Sequence, residues 1–184
     1  MATIMTHGIV GYTLARICVR KPVSPIYWIM AFIAPILPDL DVLGMKYYGI
    51  PYNDCYGHRG AFHSIAIALI AAVFLLLIYK AMVRTEGYRL NKDCFWGFFL
   101  GISSHGLIDA LTNGGLGVAV FWPANCNRYF FPWRPLEVSP LSLDRFMEQG
   151  IFIMKNEFYY VWIPCLVILF LDFAIQKFSM RNRA

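Results

Sequence analysis

Long apolar runs limit what this chain can become more than any other feature. Phe62–Val83 carries almost no polar residue after Ser64. Cys94–Thr112 is apolar until His105 and Asp109, and Phe158–Phe178 is apolar with Asp172 near its end. Val23–Leu43 stays apolar up to Pro38-Asp39-Leu40-Asp41. A membrane-crossing helix takes about 20 mostly apolar residues, so these four segments qualify. Ile4–Val19 is shorter and more mixed, and reads as a tilted or partly buried fifth helix. The expected fold is all-α: a polytopic membrane helix bundle with four to five transmembrane or partly buried helices and an aromatic-rich outward loop. One domain covers residues 1–184. The chain is 59% hydrophobic and 15% charged, against about 45–50% and about 25% in ordinary soluble domains.

Basic residues orient the bundle. Arg16, Arg20 and Lys21, then Lys80, Arg84, Arg89 and Lys92, then Lys177, Arg181 and Arg183 make ten of the sixteen, all at one set of helix ends. Short cytoplasmic loops are the ones that collect Lys and Arg, so the opposite ends face outward. The formal charge of +5 is thus a topology signal, with membrane lipids rather than nucleic acid as the partner. The outward connections are Gly44–Ala61 and Asn113–Glu157, read as loops. The second holds Trp122-Pro123 and Tyr129-Phe130-Phe131-Pro132-Trp133, ring types favoured at headgroup depth. Met1–Thr13 does not read as a cleavable signal peptide, because Thr6 and His7 fall where an apolar core is required. The five cysteines form no CxxC pair. Cys55 and Cys126 are expected to be free, small apolar residues, with a disulfide between them the lesser reading.

Charge inside a membrane helix is costly and usually marks a site. Asp39 and Asp41 close one apolar segment at its outward end, and His58 and His63 straddle the start of the next. His105 and Asp109 lie near the outward end of the third, Glu157 opens the fourth, and His7 begins a stretch whose other end holds Arg16. All four histidines of the chain thus share one layer. His105 and Asp109 are four apart, so both leave one helix face. Gly60 between His58 and His63 would permit a tight turn. Imidazole and carboxylate together suit zinc, and also manganese or iron. Taken singly, each residue has a plainer reading: an interhelical hydrogen bond for a histidine, a helix-end carboxylate for Asp39, Asp41 or Glu157, a headgroup anchor for Arg59 or Arg128.

The motifs Thr6-His7, Leu37-Pro38-Asp39-Leu40-Asp41, Gly57-His58-Arg59-Gly60-Ala61-Phe62-His63-Ser64 and Ser104-His105-Gly106-Leu107-Ile108-Asp109 resemble the YdjM/YbcI type of bacterial inner-membrane proteins, a group read as metal-dependent hydrolases. Gly114-Gly115, Trp122-Pro123, Arg128-Tyr129-Phe130 and Glu157 also fit, and the likeness covers nearly the whole chain. Phe62 departs from it, standing where a Thr is expected. A more distant similarity is to zinc-dependent phospholipase C and the P1-type nucleases. It implies His7, Asp39, Asp41, His58, His63, His105 and Asp109 as metal ligands for two or three zinc ions. The further C-terminal histidines of those enzymes are absent, and Glu157 is the obvious replacement.

The expected activity is a membrane-bound metal-dependent hydrolase that cleaves an ester or phosphoester bond of a lipid or membrane-proximal substrate. Asp41 or Glu157 would orient or deprotonate the water, and Arg59 or Arg128 would hold a phosphate bidentately. The site would face the periplasmic side of the inner membrane. Two alternatives use the same ligands. A divalent-metal transporter would need polar residues continuing toward the cytoplasmic face, and Phe62–Val83 offers none after Ser64. A non-catalytic membrane protein would use the metal only to staple helices. An intramembrane metalloprotease would need a helical HExxH, which is absent.

Overall fold

The computed structural model describes residues 1–84 and 92–181, the last three by their backbone alone. Arg89 and Arg183, two of the orienting basic residues, lie outside the described residues. Among the described residues, seven α-helices follow in order: α1 (Ile4–Cys18), α2 (Pro25–Ile33), α3 (Asp41–Tyr48), α4 (Ile65–Met82), α5 (Lys92–Ala110), α6 (Leu143–Glu157) and α7 (Ile163–Arg181). The fold is all-α, as expected. Three continuous helical stretches among the described residues are long and apolar enough to cross a membrane: Pro25–Tyr48, Ile65–Met82 and Leu143–Phe178. Cys94–Thr112, expected to be a fourth such span, is α5 and is not among them; it is largely buried against α1, the partly buried fifth segment, in the most extensive helix–helix contact among the described residues.

Small residues let that pair approach. A Cβ added at Gly97 of α5 would lie 3.2 Å from the Ala15 Cα of α1, and one added at Gly101 would lie 3.4 Å from the Gly11 Cα. Close backbone approach of this kind is how membrane helices gain packing energy where no hydrophobic drive separates protein from lipid. Below the site, Ala15, Tyr27, Ala31, Ala68, Ala72, Phe98 and Ile102 form the apolar core. Large apolar side chains instead line the outside, such as Ile70, Phe74 and Leu77 on α4 and Leu166, Phe170 and Phe173 on α7. That inside-out distribution fits a hydrocarbon solvent.

Prolines set the local geometry of the site. Pro35 and Pro38 lack an N–H, so the chain tightens after α2 into a 3-10 turn over Ala34–Leu40 before α3 resumes. That turn carries Asp39 and hands Asp41 to the first position of α3.

Three expectations about connections change. Asn113–Glu157 is not all loop: its last third is α6, which runs through a π-helical turn over Phe158–Trp162 into α7. Ser142 precedes Leu143, Phe146, Met147, Gly150, Met154 at helical spacing, a signal diluted by the polar residues among them. The left-handed residue in the His58–His63 turn is Arg59, at φ 64°, rather than Gly60. Gly60 is required for space, because a Cβ there would meet the Cys55 carbonyl oxygen at 2.2 Å. Cys55 and Cys126 form a disulfide, with Cα atoms 5.4 Å apart. The two outward connections pack on each other: the Ala119 N–H donates to the Arg59 carbonyl, and Arg128 donates to the carbonyls of Tyr52, Asp54 and His58. This brings position 126 to position 55.

Candidate metal centre

The site is assembled from α1, the 3-10 turn with α3, the loop before α4, and α5. His7, His58, His63, His105, Asp41 and Asp109 are all buried, and Asp39 is nearly so. Six of the seven expected ligands fall into two donor groups, and His7 packs beside them against His105 and Asp109.

Asp39, His63, His105 and Asp109 offer four donor atoms within 4.8 Å of one another. His105 Nε2 lies 3.0 Å from His63 Nε2 and 3.3 Å from Asp39 Oδ1. Asp39 Oδ1 and Asp109 Oδ2 lie 3.6 and 3.7 Å from His63 Nε2, and Asp109 Oδ2 lies 3.9 Å from His105 Nε2. Donors about 2.0–2.1 Å from a tetrahedral zinc stand about 3.3 Å apart, so the set fits such an ion with small adjustments.

Tautomers support the fit. His105 Nδ1 is 2.6 Å from the Pro35 carbonyl oxygen, which only accepts. The proton is therefore on Nδ1, and the Nε2 of a neutral His105 faces His63 with a lone pair. His63 Nδ1 is turned to Asp41 Oδ2 at 3.1 Å. Two imidazole nitrogens 3.0 Å apart and both oriented in this way need a proton or a cation between them. Burial on its own lowers the His63 pKa, but the Asp39 and Asp41 carboxylates beside it outweigh that and raise it to about 9. Among the described residues, seven buried side-chain polar atoms lack a hydrogen-bond partner; six belong to His7, Asp39, His58 and His63. An unpaired buried polar group costs about 1–3 kcal/mol, and this cluster leaves a set of donors that could hold an ion.

A second group, Asp41, His58 and His63, could also hold an ion. It shares His63, so an ion there would have to use the opposite ring nitrogen. His58 Nδ1 lies 2.8 Å from Asp41 Oδ1, and the Arg59 backbone N–H donates to Asp41 Oδ2 at 3.1 Å. Burial lowers the His58 pKa, with Asp41 opposing the shift. His7 stacks on His105 with ring centroids 3.7 Å apart, and its Nε2 is 3.5 Å from Asp109 Oδ1.

The residues around these ligands hold them in place. Arg59, fully buried, donates from Nε to Asp109 Oδ2 at 3.0 Å, from one Nη to the Gly114 carbonyl and from the other to Thr112 Oγ1. Arg128 is bound to backbone carbonyls. Neither guanidinium is thus placed as a phosphate fork: Arg59 fixes a ligand and Arg128 clamps the loops. Glu157 stands apart from both metal groups. It accepts from the Thr3 N–H at 2.6 Å, from the Thr3 hydroxyl, and from the Thr6 hydroxyl at 2.6 Å. Trp162 Nε1 donates to Thr6 at 2.6 Å as well. Glu157 therefore ties α6 to the start of α1, in place of the ligand or base role read from sequence. Sequence reasoning missed Thr3 and the Pro35 carbonyl; backbone acceptors leave no trace in residue type.

With this geometry in view, the comparisons are specific. The YdjM inner membrane protein family matches residues 1–182. The chain belongs to that family. It is 31% identical over 170 residues to the inner membrane protein YbcI of Escherichia coli (strain K12), covering 92% of this chain and 95% of that one. It is also 32% identical over 145 residues to the inner membrane protein YdjM of the same strain, covering 73% of this chain and 64% of that one. No solved structure matches the chain. The relatives' names place the family in the inner membrane, which agrees with the three apolar helices.

Proposed function

We propose that this family member is a metal-dependent hydrolase that cleaves an ester or phosphoester bond of a lipid or membrane-proximal substrate. The observation that carries the reading is the four-donor set of Asp39, His63, His105 and Asp109, buried at tetrahedral spacing. Zinc suits two imidazoles and two carboxylates best, with manganese or iron as the other candidates. A divalent ion there acidifies water to a pKa of about 7 and neutralises charge on an ester or phosphoryl oxygen. The chain supplies the rest. The Pro35 carbonyl fixes the His105 tautomer, Arg59 fixes Asp109, and Asp41 orients His63. His58, held by Asp41 at Nδ1, has a buried Nε2 with no partner. That nitrogen is the proton acceptor, the task the sequence reading gave to Asp41 or Glu157.

The site opens to the periplasmic face on this reading. A disulfide beside it suits an oxidising compartment, and Arg16, Arg20 and Lys80 lie at the far ends of α1 and α4. A structural staple is the second reading, because the ligands come from four separate segments. The test is metal analysis of purified protein together with ester and phosphoester hydrolysis by wild type, Asp39→Ala and His105→Ala. One ion per chain in the wild type, lost with activity in both variants, is expected. Protein that keeps no transition metal would sink the proposal. A retained metal with no hydrolysis of any ester would leave the staple.

A further inference from the structure

Two cavities of about 580 Å³ each reach the candidate metal centre and share Met1 and one strap, Ser139–Leu141. Both are within the usual size of ligand sites, about 300–1,000 Å³. The first is lined by Ile36, Leu43, Leu143, Phe146 and Met154, and Asp39 is the one ionisable side chain on its wall. Both Asp39 oxygens are buried without hydrogen-bond partners. The second is lined by Tyr52, His58, Arg145 and Gln149. His58, 1% exposed, contributes the unpartnered Nε2. One cavity is thus almost wholly apolar and the other more mixed, with Arg145 among its lining residues, and each reaches a residue of the same cluster.

The first cavity lies between Pro25–Tyr48 and Leu143–Phe178, both stretches that can cross a membrane. The second of these has 36 residues, about 54 Å at 1.5 Å per residue, against a hydrocarbon core of about 30 Å. α7 is long enough to span alone, which leaves α6 at headgroup level. α6 has the composition for that place: Asp144, Arg145, Glu148 and Gln149 alternate with exposed Leu143, Met147 and Ile151. With α6 at that level, the first cavity would meet acyl chains and the second headgroups.

We infer that the two cavities together bind one anionic membrane lipid, with an acyl chain along Leu43 and Phe146, the headgroup beside Arg145, and the linking ester or phosphoester over the metal centre. This rests on the hydrolase reading for the last contact alone; the tail and headgroup contacts stand without it.

The test uses the full chain in nanodiscs containing a phosphatidylglycerol with a diazirine midway along one acyl chain. After irradiation, adducts are expected on the segments around Leu43 and Phe146. Leu43→Trp, which fills the cavity, lowers them several-fold and leaves annular adducts near Phe170 of α7 unchanged. Leu43→Ala keeps the label and controls for loss of fold. A phosphatidylcholine probe labels these segments several-fold less than phosphatidylglycerol, and Arg145→Gln removes that preference. Labelling that is the same in Leu43→Trp, or no stronger at Leu43 than at Phe170, overturns the proposal. Equal labelling by the two lipids overturns its headgroup half. Specific labelling of a protein that holds no metal would fail the hydrolase reading and leave this one standing. Metal-dependent hydrolysis of water-soluble esters without specific labelling would do the reverse.

Discussion

Asp41→Asn separates the roles drawn at the centre. Asp41 pairs with His58 Nδ1 through one oxygen and accepts from the Arg59 N–H through the other, which also stands 3.1 Å from His63 Nδ1. Asparagine has one oxygen to offer. The Arg59 backbone N–H can only donate, so the amide oxygen settles toward Arg59 and His63, and its NH₂ turns to His58. A neutral His58 then has to accept at Nδ1, which moves its proton to Nε2. Metal is retained, because the four-donor set is intact. The lost charge beside His63 lowers affinity by about 10–100-fold, or about 1.4–2.7 kcal/mol. The proton acceptor, however, is now blocked. An Asp-to-Asn change that imposes the wrong tautomer on a paired histidine lowers kcat by about 10⁴ elsewhere, and a loss of about 10³–10⁴ is expected here. Metal content by mass spectrometry, chelator competition and kcat at saturating zinc are the measurements. Complete loss of metal would make Asp41 a direct ligand. A kcat within tenfold of wild type with metal bound would refute the His58 assignment.

Three further outcomes follow from the structure. Glu157→Gln is expected to lower stability by about 1.5–3 kcal/mol, the range for hydrogen bonds to a charged group, with metal content unchanged; a fall in hydrolysis at unchanged Tm would restore Glu157 as a base. His63, raised to about 9 against an ordinary 6.5, carries a proton in the metal-free protein below that pH, and an incoming ion must displace it. Apparent zinc affinity should thus climb about tenfold per pH unit toward pH 9, while metal-free protein loses stability as pH rises from 6.5 through 9; proton release on zinc binding, read by calorimetry in two buffers, checks both, and zinc binding with no proton release near pH 7 would refute them. Finally, a membrane-impermeant maleimide applied to spheroplasts should label Cys55 and Cys126 only after reduction, and labelling that also requires membrane rupture would reverse the orientation.

Much of the centre was legible because membrane insertion penalises charge wherever it falls. Asp39, Asp41, His105 and Asp109 stand out in apolar runs, and a residue type that is costly in lipid announces itself. α6 was less legible, since Leu143, Met147 and Ile151 share their stretch with Asp144, Arg145, Glu148 and Gln149. An interfacial helix has too little apolar character to read as a span. The pairing of Cys55 with Cys126 depends on two loops 71 residues apart in sequence packing together, and spacing alone does not encode that.

The sequence by itself determined the bundle, the layer in which the ionisable residues lie, and the seven residues that meet there, because hydropathy and depth are local properties summed along each helix. Only the tertiary structure decided what each one does there. Whether a carboxylate binds an ion, orients a histidine or ties down a helix depends on which donors surround it. Asp109, Asp41 and Glu157 are chemically near-identical acids that met Arg59, two imidazoles and two threonine hydroxyls respectively. Those partners come from distant segments, and only folding brings them within hydrogen-bond range.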